Sequence, residues 1–297
     1  MKVIKLKKKS PGDRLSDFLI GAALVVVIIT CLYPLWHVFM YSLSDSRAAM
    51  SGGLFLLPRE FTTITYQLLF KTQRIFRALG NSVAKTVVGT ALSLTVTVLT
   101  AYPLAQADLK GRRPILLFIY FTMLFSGGMI PTYILIKDLG LLDSCWAYVI
   151  PAAMNPYNMF VLRSFFASTP RALTEAARID GANPMQILLR IVLPLSKSSI
   201  ATIALYYVQS FWNSYMDGVL YINSSNLELL QVYLRRLISQ TATSALGEIN
   251  DLTAASAVTG ESMKMTVIAF SIIPVIVVYL FLQKYFTKGV MIGAVKE

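Results

Sequence analysis

The stretch that decides the fold of this 297-residue chain is residues 169–194, which read TPRALTEAARIDGANPMQILLRIVLP. Its opening Thr-Pro pair is typical of a helix start, because threonine can cap the helix and proline needs no N–H in the first turn. Gly181 stands where a left-handed residue would end that helix, and Asn183-Pro184 repeats the start signal. The stretch therefore predicts two short helices joined by a tight turn.

The first of these predicted helices has a side with little bulk. Ala176 and Ala177 follow Glu175 directly. Another protein could therefore approach the helix backbone closely on this side. We expect the loop to contact a partner rather than only to connect two segments.

The rest of the chain is strongly apolar. Hydrophobic residues make up 56% and charged residues 14%, whereas about a quarter of the residues of soluble proteins are charged. The mean hydropathy is +0.62. A soluble fold of this length could not bury so much apolar surface. The composition predicts an all-α, polytopic membrane protein.

Several apolar segments reach the length of about 20 residues that a helix needs to cross a bilayer. Six qualify, at approximately 17–41, 81–106, 114–137, 144–165, 199–221 and 265–286. A basic segment, residues 1–16, precedes them and is predicted to be cytoplasmic. The apolar run after it is too long for a signal peptide and has no small-residue cleavage site, so we expect a retained span. Residues 17–297 are predicted to form one transmembrane domain with six spans.

Basic residues predict the orientation of these spans. The chain carries 27 Lys and Arg against 15 Asp and Glu, a net charge of +12. With both termini in the cytoplasm, seventeen of the 27 basic residues lie inside, as the positive-inside rule requires. The short loop at 110–113 is basic, whereas the next turn holds only Lys137. The charge excess is thus a topology signal and not a nucleic-acid signature, and it places the long loop at about 166–198 in the cytoplasm.

That loop resembles the EAA loop of the inner-membrane permease subunits of ATP-binding cassette (ABC) importers. The motif is EAA, three residues, G, nine residues and I-x-L-P, and this sequence matches every fixed position. The matching residues are Glu175, Ala176, Ala177, Gly181, Ile191, Leu193 and Pro194. We assign them, together with Asp180, to a loop that couples transport to ATP hydrolysis. An ordinary surface hairpin would not explain so many matches within twenty residues.

Two further segments resemble the carbohydrate branch of these permeases, the smaller maltose-type subunits with six spans. Residues 101–106, followed by basic residues at 110–113, resemble the segment that ends the second span, and residues 289–297 resemble the C-terminal tail. Gln106 replaces a usually basic residue, and Glu297 replaces a usual final glycine. The resemblance covers nearly the whole chain and implies the type I ABC importer permease fold.

The resemblance also implies partners. They would be a second permease in a heterodimeric pore, two ATP-binding subunits, an extracytoplasmic solute-binding protein and membrane lipid, with an oligosaccharide as substrate and the bacterial cell membrane as location. ATP and Mg would be used by the partner ATPase, and this chain would bind no cofactor. The sequence agrees with this division of roles between permease and ATPase, because it contains no GxxxxGK[ST] phosphate loop.

The alternatives are an ion-coupled carrier or channel that acts alone and a membrane-embedded enzyme. Ion-coupled carriers usually hold acidic residues or His near the bilayer centre, whereas the one acid inside a predicted span, Asp217, lies toward its outer end. An enzyme is less favoured, because no carboxylate pair, His cluster or activated nucleophile is visible. We assign no catalytic residues and no metal ligands.

Polar and aromatic side chains at mid-membrane depth are the candidates for a substrate path, because sugars need hydrogen-bonding groups and flat apolar faces. They are Asn155, Tyr157 and Asn158 in the fourth predicted span, and Tyr206, Gln209, Trp212 and Asn213 in the fifth, where Tyr207 lies at the same depth. Gln209 and Asn213 are four residues apart and share a helix face. Polar contact between helices explains any single one of these residues equally well.

Two more segments of the sequence each have two possible explanations. Residues 126–128, Ser-Gly-Gly, and Pro131 indicate a kink or a close crossing in the third span, for which packing is the simpler reason. The outer stretch Leu227–Ile238 is amphipathic. It could reach a docked binding protein, as in the permeases that it resembles, or rest on the membrane surface.

Overall fold

A computed structural model describes residues 11–71, 73–239 and 258–294. Helices dominate these ranges, and the only β pairing within them is a single antiparallel bridge between Ser44 and Phe61. The all-α fold class is therefore confirmed. The chain divides into two compact units, residues 1–71 with 240–272 and residues 72–239 with 273–297. The cytoplasmic assignment of residues 1–16 falls largely outside the described residues, as do residues 295–297 of the C-terminal tail.

The first unit contains the N-terminal helices and the start of the last one. Its elements are α1 (Pro11–Ser42), α2 (Ser46–Ala49), α3 (Ile64–Lys71) and the first part of α14 (Gly260–Ala294). A small core forms from Tyr41, Ala49 and Phe55, against which Met40 and Met265 pack. The side chain of Asp45 caps α2 by accepting from the N–H groups of its first turn.

The second unit holds the remaining helices. They are α4 (Gln73–Ala105), α5 (Arg112–Leu124), α6 (Met129–Asp138), α7 (Pro156–Ala167), α8 (Arg171–Ile179), α9 (Pro184–Ile187), α10 (Leu193–Leu195), α11 (Lys197–Asn213), α12 (Met216–Tyr221) and α13 (Leu230–Ser239). Short 3-10 segments lie at Cys145–Tyr148, Ile150–Ala152 and Ser225–Leu227, and one π-helical turn lies at Leu188–Val192.

Helix α4 is the centre of the second unit, and α7 and α11 pack along it. Small side chains let them approach closely. Ala101 of α4 is fully buried, and a Cβ added at Gly89 would lie 2.8 Å from the ring of Phe211 in α11. The shared core includes Met159, Leu162 and Ile203 from the two partner helices.

Within the described residues, three helices are long and apolar enough to cross a membrane, at Leu15–Ser42, Gln73–Ala105 and Gly260–Val277. They correspond to the first, second and sixth predicted spans. Two bent pairs could raise the number to five: α5 with α6, bent by 113°, and Pro184–Leu195 with α11, bent by 86°. The count of six spans stays a prediction.

The third and fourth predicted spans are not straight helices. The break between α5 and α6 falls at the predicted kink, where Gly128 has a φ of 85°, a conformation that glycine adopts at low cost. Residues 144–165 form two 3-10 segments and then the 12-residue α7, not the single helix we expected. Pro151 and Pro156 explain this difference, because proline supplies no N–H for an interior helical bond.

The segment after α12 is held against the start of α4. Asn81 donates its side-chain amide to the carbonyls of Asn226 and Glu228, and Ser82 accepts the N–H of Leu230. Arg74 forms an ion pair of 2.7 Å with the buried Glu228. The apolar side chains of this stretch, Leu229, Leu230, Tyr233 and Leu234, are buried in the protein. Resting on the membrane surface is therefore not what buries its apolar face.

Candidate functional site

The helix α8 carries the EAA residues and closes as the sequence predicts. Gly181 has a φ of +82°. Its N–H donates to the carbonyl of Arg178, and the N–H of Ala182 donates to the carbonyl of Ala177. This pair of bonds is the Schellman motif, which satisfies the free carbonyls at a helix C-terminus. The turn is therefore fixed by backbone bonding that depends on a left-handed residue at position 181.

The second helix of the loop begins with a reciprocal cap. The side chain of Asn183 accepts the N–H of Gln186, and the Gln186 side chain accepts the N–H of Asn183. This arrangement satisfies two N–H groups that have no partner inside the helix. Pro184 occupies the first helical position, as expected from its missing N–H.

The two helices are fixed to the core of the second unit. Ile187, Leu188 and Val192, at the end of α9 and within the π-helical turn, are buried in that core. Partly buried apolar residues pack against them. These are Ala177, Ala182, Ile191 and Leu193. Ala177, Ile191 and Leu193 of the EAA motif thus face the protein and connect the loop to the helices on which it packs.

The other motif residues face outward. Glu175, Ala176, Asp180, Gly181 and Pro194 are all exposed. Beside them lie two large apolar side chains, Leu173 and Ile179, which are 45% and 86% exposed. Sequence reasoning missed both, although Ala172, Ala176 and Ile179 have the spacing of one helix face. The outer surface of α8 is therefore small-sided, partly apolar and uncovered by the described residues.

Arg178 connects α8 to the loop that follows α4. Its guanidinium lies 3.4 Å from the Asp108 carboxylate and 3.5 Å from the side-chain oxygen of Gln106. Gln106 is the residue that departs from the basic residue usual at this position. An amide oxygen can accept from Arg178, whereas a basic side chain would repel it.

The candidate path residues lie around one hydroxyl group, that of Tyr207. It shares a hydrogen bond of 2.7 Å with the Thr97 hydroxyl of α4 and accepts the N–H of Asn155 at 3.0 Å. Asn155 in turn caps α7, because its side chain accepts the N–H of Asn158. The helices α4, α7 and α11 are therefore joined where the sequence placed the candidates.

The seven candidate path residues differ in their exposure to solvent. Tyr157, Tyr206, Gln209 and Asn213 are exposed, as is Asn155 beside its capping role. Tyr206, Gln209 and Asn213 share one face of α11, so the structure brings these three together. Asn158 and Trp212 are buried and face the protein interior, where a sugar would not reach them.

Sequence reasoning also missed an ion pair in the second unit between a buried lysine and a half-buried aspartate. The Nζ of Lys85 in α4 lies 2.9 Å from the Asp217 carboxylate and 3.2 Å from the carbonyl of Ser214. It also stands 5.0 Å from the centre of the Tyr148 ring. Only 2% of the Lys85 side chain is exposed. Both ions lie near the outer ends of their predicted spans, but only the fold shows that they meet.

Lys85 has a structural consequence for α11. That helix ends at Asn213, and its next residue, Ser214, offers a carbonyl that no further helical turn can bind. The Lys85 ammonium binds this carbonyl and the carboxylate of Asp217 in the following α12. The pair therefore stabilises the break between α11 and α12, directly beside the candidate path residue Asn213. In the described part of the chain, no three His, Cys, Asp or Glu residues converge as metal ligands would.

Comparisons with known proteins find similar membrane transport proteins. A family model described as "Binding-protein-dependent transport system inner membrane component" matches residues 93–292. The chain is 42% identical over 284 residues to the polygalacturonan/rhamnogalacturonan transport system permease protein YtcP of Bacillus subtilis (strain 168), with 96% of this chain and 99% of that relative covered. It is 41% identical over 280 residues to Protein LplC of the same organism, with 94% and 92% covered.

A solved structure matches as well. It is the crystal structure of a bacterial ABC transporter involved in the import of the acidic polysaccharide alginate. One of its chains aligns with a TM-score of 0.87 and 33% sequence identity, covering 95% of this chain and 100% of that chain. The similarity therefore extends over both compact units and includes the loop with α8.

Proposed function

Because the chain belongs to the family of binding-protein-dependent transport system inner membrane components, we propose that it is a permease subunit of an ATP-driven oligosaccharide importer in the bacterial cell membrane. The observation that carries this proposal is the EAA loop, with an exposed outer surface on α8 and an inner surface fixed to the core. Such a loop can receive force from a partner and pass it to the spans.

We assign the outer surface of α8 to contact with an ATPase subunit. Leu173 and Ile179 would enter an apolar cleft, while Ala176 and the Gly181 turn would let the partner approach the backbone. The partner ATPases, two per transporter, would use ATP and Mg. Because Arg178 contacts the loop after α4 and Ala177 packs on the core, a displacement of α8 would move α4, α7 and α11 together.

The substrate we propose is an oligosaccharide delivered by an extracytoplasmic solute-binding protein. Support comes from the polygalacturonan/rhamnogalacturonan permease YtcP and from the alginate importer, both of which act on carbohydrate polymers. The exposed face with Tyr206, Gln209 and Asn213 suits such a ligand, because tyrosine rings pack against sugar C–H faces and amides bind hydroxyls. A second permease would provide the opposite wall of the path in a heterodimer.

We further propose that residues 17–297 form one transmembrane domain with six spans and that both termini are cytoplasmic. The support is the distribution of basic residues together with the position of α8. An ATPase in the cytoplasm can reach the loop only in this orientation.

The test is transport by the complete complex in proteoliposomes, with ATP hydrolysis and sugar uptake measured together. The left-handed conformation costs a residue with a side chain about 1–2 kcal/mol, so we expect Gly181→Val to lower uptake about tenfold. Asparagine tolerates a positive φ, so Gly181→Asn tests the effect of an added side chain without the backbone strain. Glu175→Lys reverses an exposed charge, and it should uncouple hydrolysis from uptake without unfolding the loop.

A matched control is Gly140→Val. Gly140 also has a positive φ, +67°, and open space where a Cβ would lie, but it lies in a turn on the predicted outer side. This variant should lower stability while leaving the ratio of uptake to ATP hydrolysis unchanged. Wild-type uptake in all the Gly181 and Glu175 variants would contradict the coupling assignment. Uptake by this chain alone, driven by an ion gradient, would favour the ion-coupled carrier.

A further inference from the structure

A groove lies on the surface of the second unit between α5 and α7. Its volume is about 360 Å³, and its lining residues are Arg113, Leu116, Leu117, Tyr120 and Phe160. Four of these lie on α5 at spacings of three and four residues, so they form one stripe along the helix. The stripe extends for about 10 Å at the rise of an α-helix.

The groove is apolar along most of its length. Leu116 and Phe160 pack against the core and form its floor. Tyr120 contacts Phe160 edge to face, with 6.4 Å between the ring centres. Leu117 is 67% exposed. This opening suits an apolar chain that lies along α5 within the ~15 Å hydrocarbon layer of one leaflet.

One end of the groove is cationic. Arg113 is exposed, and its guanidinium has no hydrogen-bond or ion-pair partner among the residues that the structure describes. Its neighbour Arg112 is already bonded within the protein. The Nε of Arg112 and the Nε of Arg163 both donate to the carbonyl of Leu104. Lys110 adds a further exposed cation nearby in sequence.

The start of α5 adds to this positive charge. Its N-cap, Gly111, supplies no side-chain acceptor, and the first turn holds no acidic residue. A helix N-terminus carries partial positive charge. At the start of α5 the N–H of Arg112 donates to the carbonyl of Leu109 and Pro114 has no N–H, so the helix contributes this partial charge and not a set of free N–H groups. Arg113 and the start of α5 therefore offer an anion a charged partner directly above an apolar groove.

We propose that this groove binds one anionic phospholipid of the cytoplasmic leaflet. The lipid phosphate would contact the Arg113 guanidinium at the start of α5, and an acyl chain would lie along Leu116, Leu117 and Tyr120 against Phe160. Basic pockets between spans on the cytoplasmic side are suited to such headgroups. The site rests on the proposed orientation, which puts Arg113 at the inner membrane interface.

The experiment is native mass spectrometry of the complete, delipidated transporter after addition of equimolar phosphatidylglycerol and phosphatidylcholine. We expect retention of phosphatidylglycerol in excess of phosphatidylcholine. Arg113→Gln should lower that retention about fivefold, the effect of one cation near an anionic headgroup. Leu117→Trp should lower it by filling the groove while leaving Arg113 in place.

Controls separate the possible occupants. Arg190→Gln removes another exposed arginine that does not line the groove, and it should retain the lipid as the wild type does. Glycerol phosphate should not displace the lipid, because it lacks the acyl chain. Displacement by glycerol phosphate would overturn the lipid proposal in favour of a free-phosphate site. Equal retention of both lipids, unchanged retention in Arg113→Gln, or cross-linking of Leu117→Cys to the second permease would also overturn it.

Failure of this proposal and failure of the proposed function give different results. Lipid retention is read without ATP or sugar, whereas the coupling variants are read by uptake. Labelling from each side of the membrane reports the orientation independently of both. Cytoplasmic labelling near Arg113 combined with equal lipid retention would remove the lipid site alone.

Discussion

Two neighbouring tyrosines of α11 face different environments. Tyr206 is 43% exposed, whereas Tyr207 is buried and its hydroxyl joins α4 and the start of α7. Their positions in the sequence place both at mid-membrane depth and do not separate a path residue from a packing residue. The difference follows from rotation about the helix axis, since adjacent residues lie about 100° apart at 3.6 residues per turn.

The same substitution at these two positions is therefore expected to have different effects. Tyr207→Phe leaves the buried Thr97 hydroxyl and the partly buried N–H of Asn155 without their shared partner, and it should lower the free energy of unfolding by about 1–3 kcal/mol. Thermal denaturation of the purified complex measures this. Tyr206→Phe should leave stability unchanged and raise the KM for uptake about three- to tenfold through loss of one bond to sugar.

Each tyrosine variant serves as the control for the other. Equal loss of stability in both would contradict the structural role given to the Tyr207 hydroxyl. An unchanged KM in Tyr206→Phe would remove Tyr206 from the proposed path.

At the scale of elements, α4 shows how small residues set the distance between helices. Gly89 is buried against the ring of Phe211, and an added Cβ would lie 2.8 Å from the nearest ring atoms. Gly80 lies in the same helix with nothing near its Cβ position. The two glycines look alike in the sequence, but only one of them is required by packing.

Gly89→Ala is expected to destabilise the protein by about 1–3 kcal/mol, because overpacking shifts a buried aromatic ring. Gly80→Ala is expected to stabilise it by up to about 1 kcal/mol, because alanine loses less backbone freedom than glycine on helix formation. The measurement is the thermal midpoint of the two variants beside the wild type. Equal midpoints for both variants would contradict the close α4–α11 contact.

At the scale of the whole molecule, the orientation in the membrane determines what each surface can contact. Cys31 and Cys145 are exposed, so labelling requires a background with both changed to Ser. In that background, Lys110→Cys should react with a membrane-impermeant maleimide in inside-out vesicles only. Lys137→Cys should react with the same maleimide in intact cells, where only the outer face of the membrane is accessible. The reverse pattern would place α8 outside and exclude contact with a cytoplasmic ATPase.

The sequence predicted the end of α8 and the start of α9 because these depend on local chemistry. The glycine with positive φ and the Asn-Pro pair each act on backbone groups within a few residues. The start of α8 differs from the prediction, because Pro170 and not Thr169 is the N-cap and no side chain caps the first turn. The apolar runs likewise predicted membrane helices at the first, second and sixth segments. The family resemblance drawn from the EAA motif is confirmed by the match over residues 93–292.

The sequence by itself thus determined the helical class and the turn between α8 and α9, which follow from composition and from nearby residues. Its resemblance to a known family indicated the type of transporter. Only the tertiary structure decided which polar side chains are exposed, that Lys85 pairs with Asp217, and where α11 ends. These outcomes depend on contacts between segments far apart in the chain, such as the 2.9 Å bond between α4 and α12. No local pattern determines such contacts, because they depend on how the helices rotate and pack against one another.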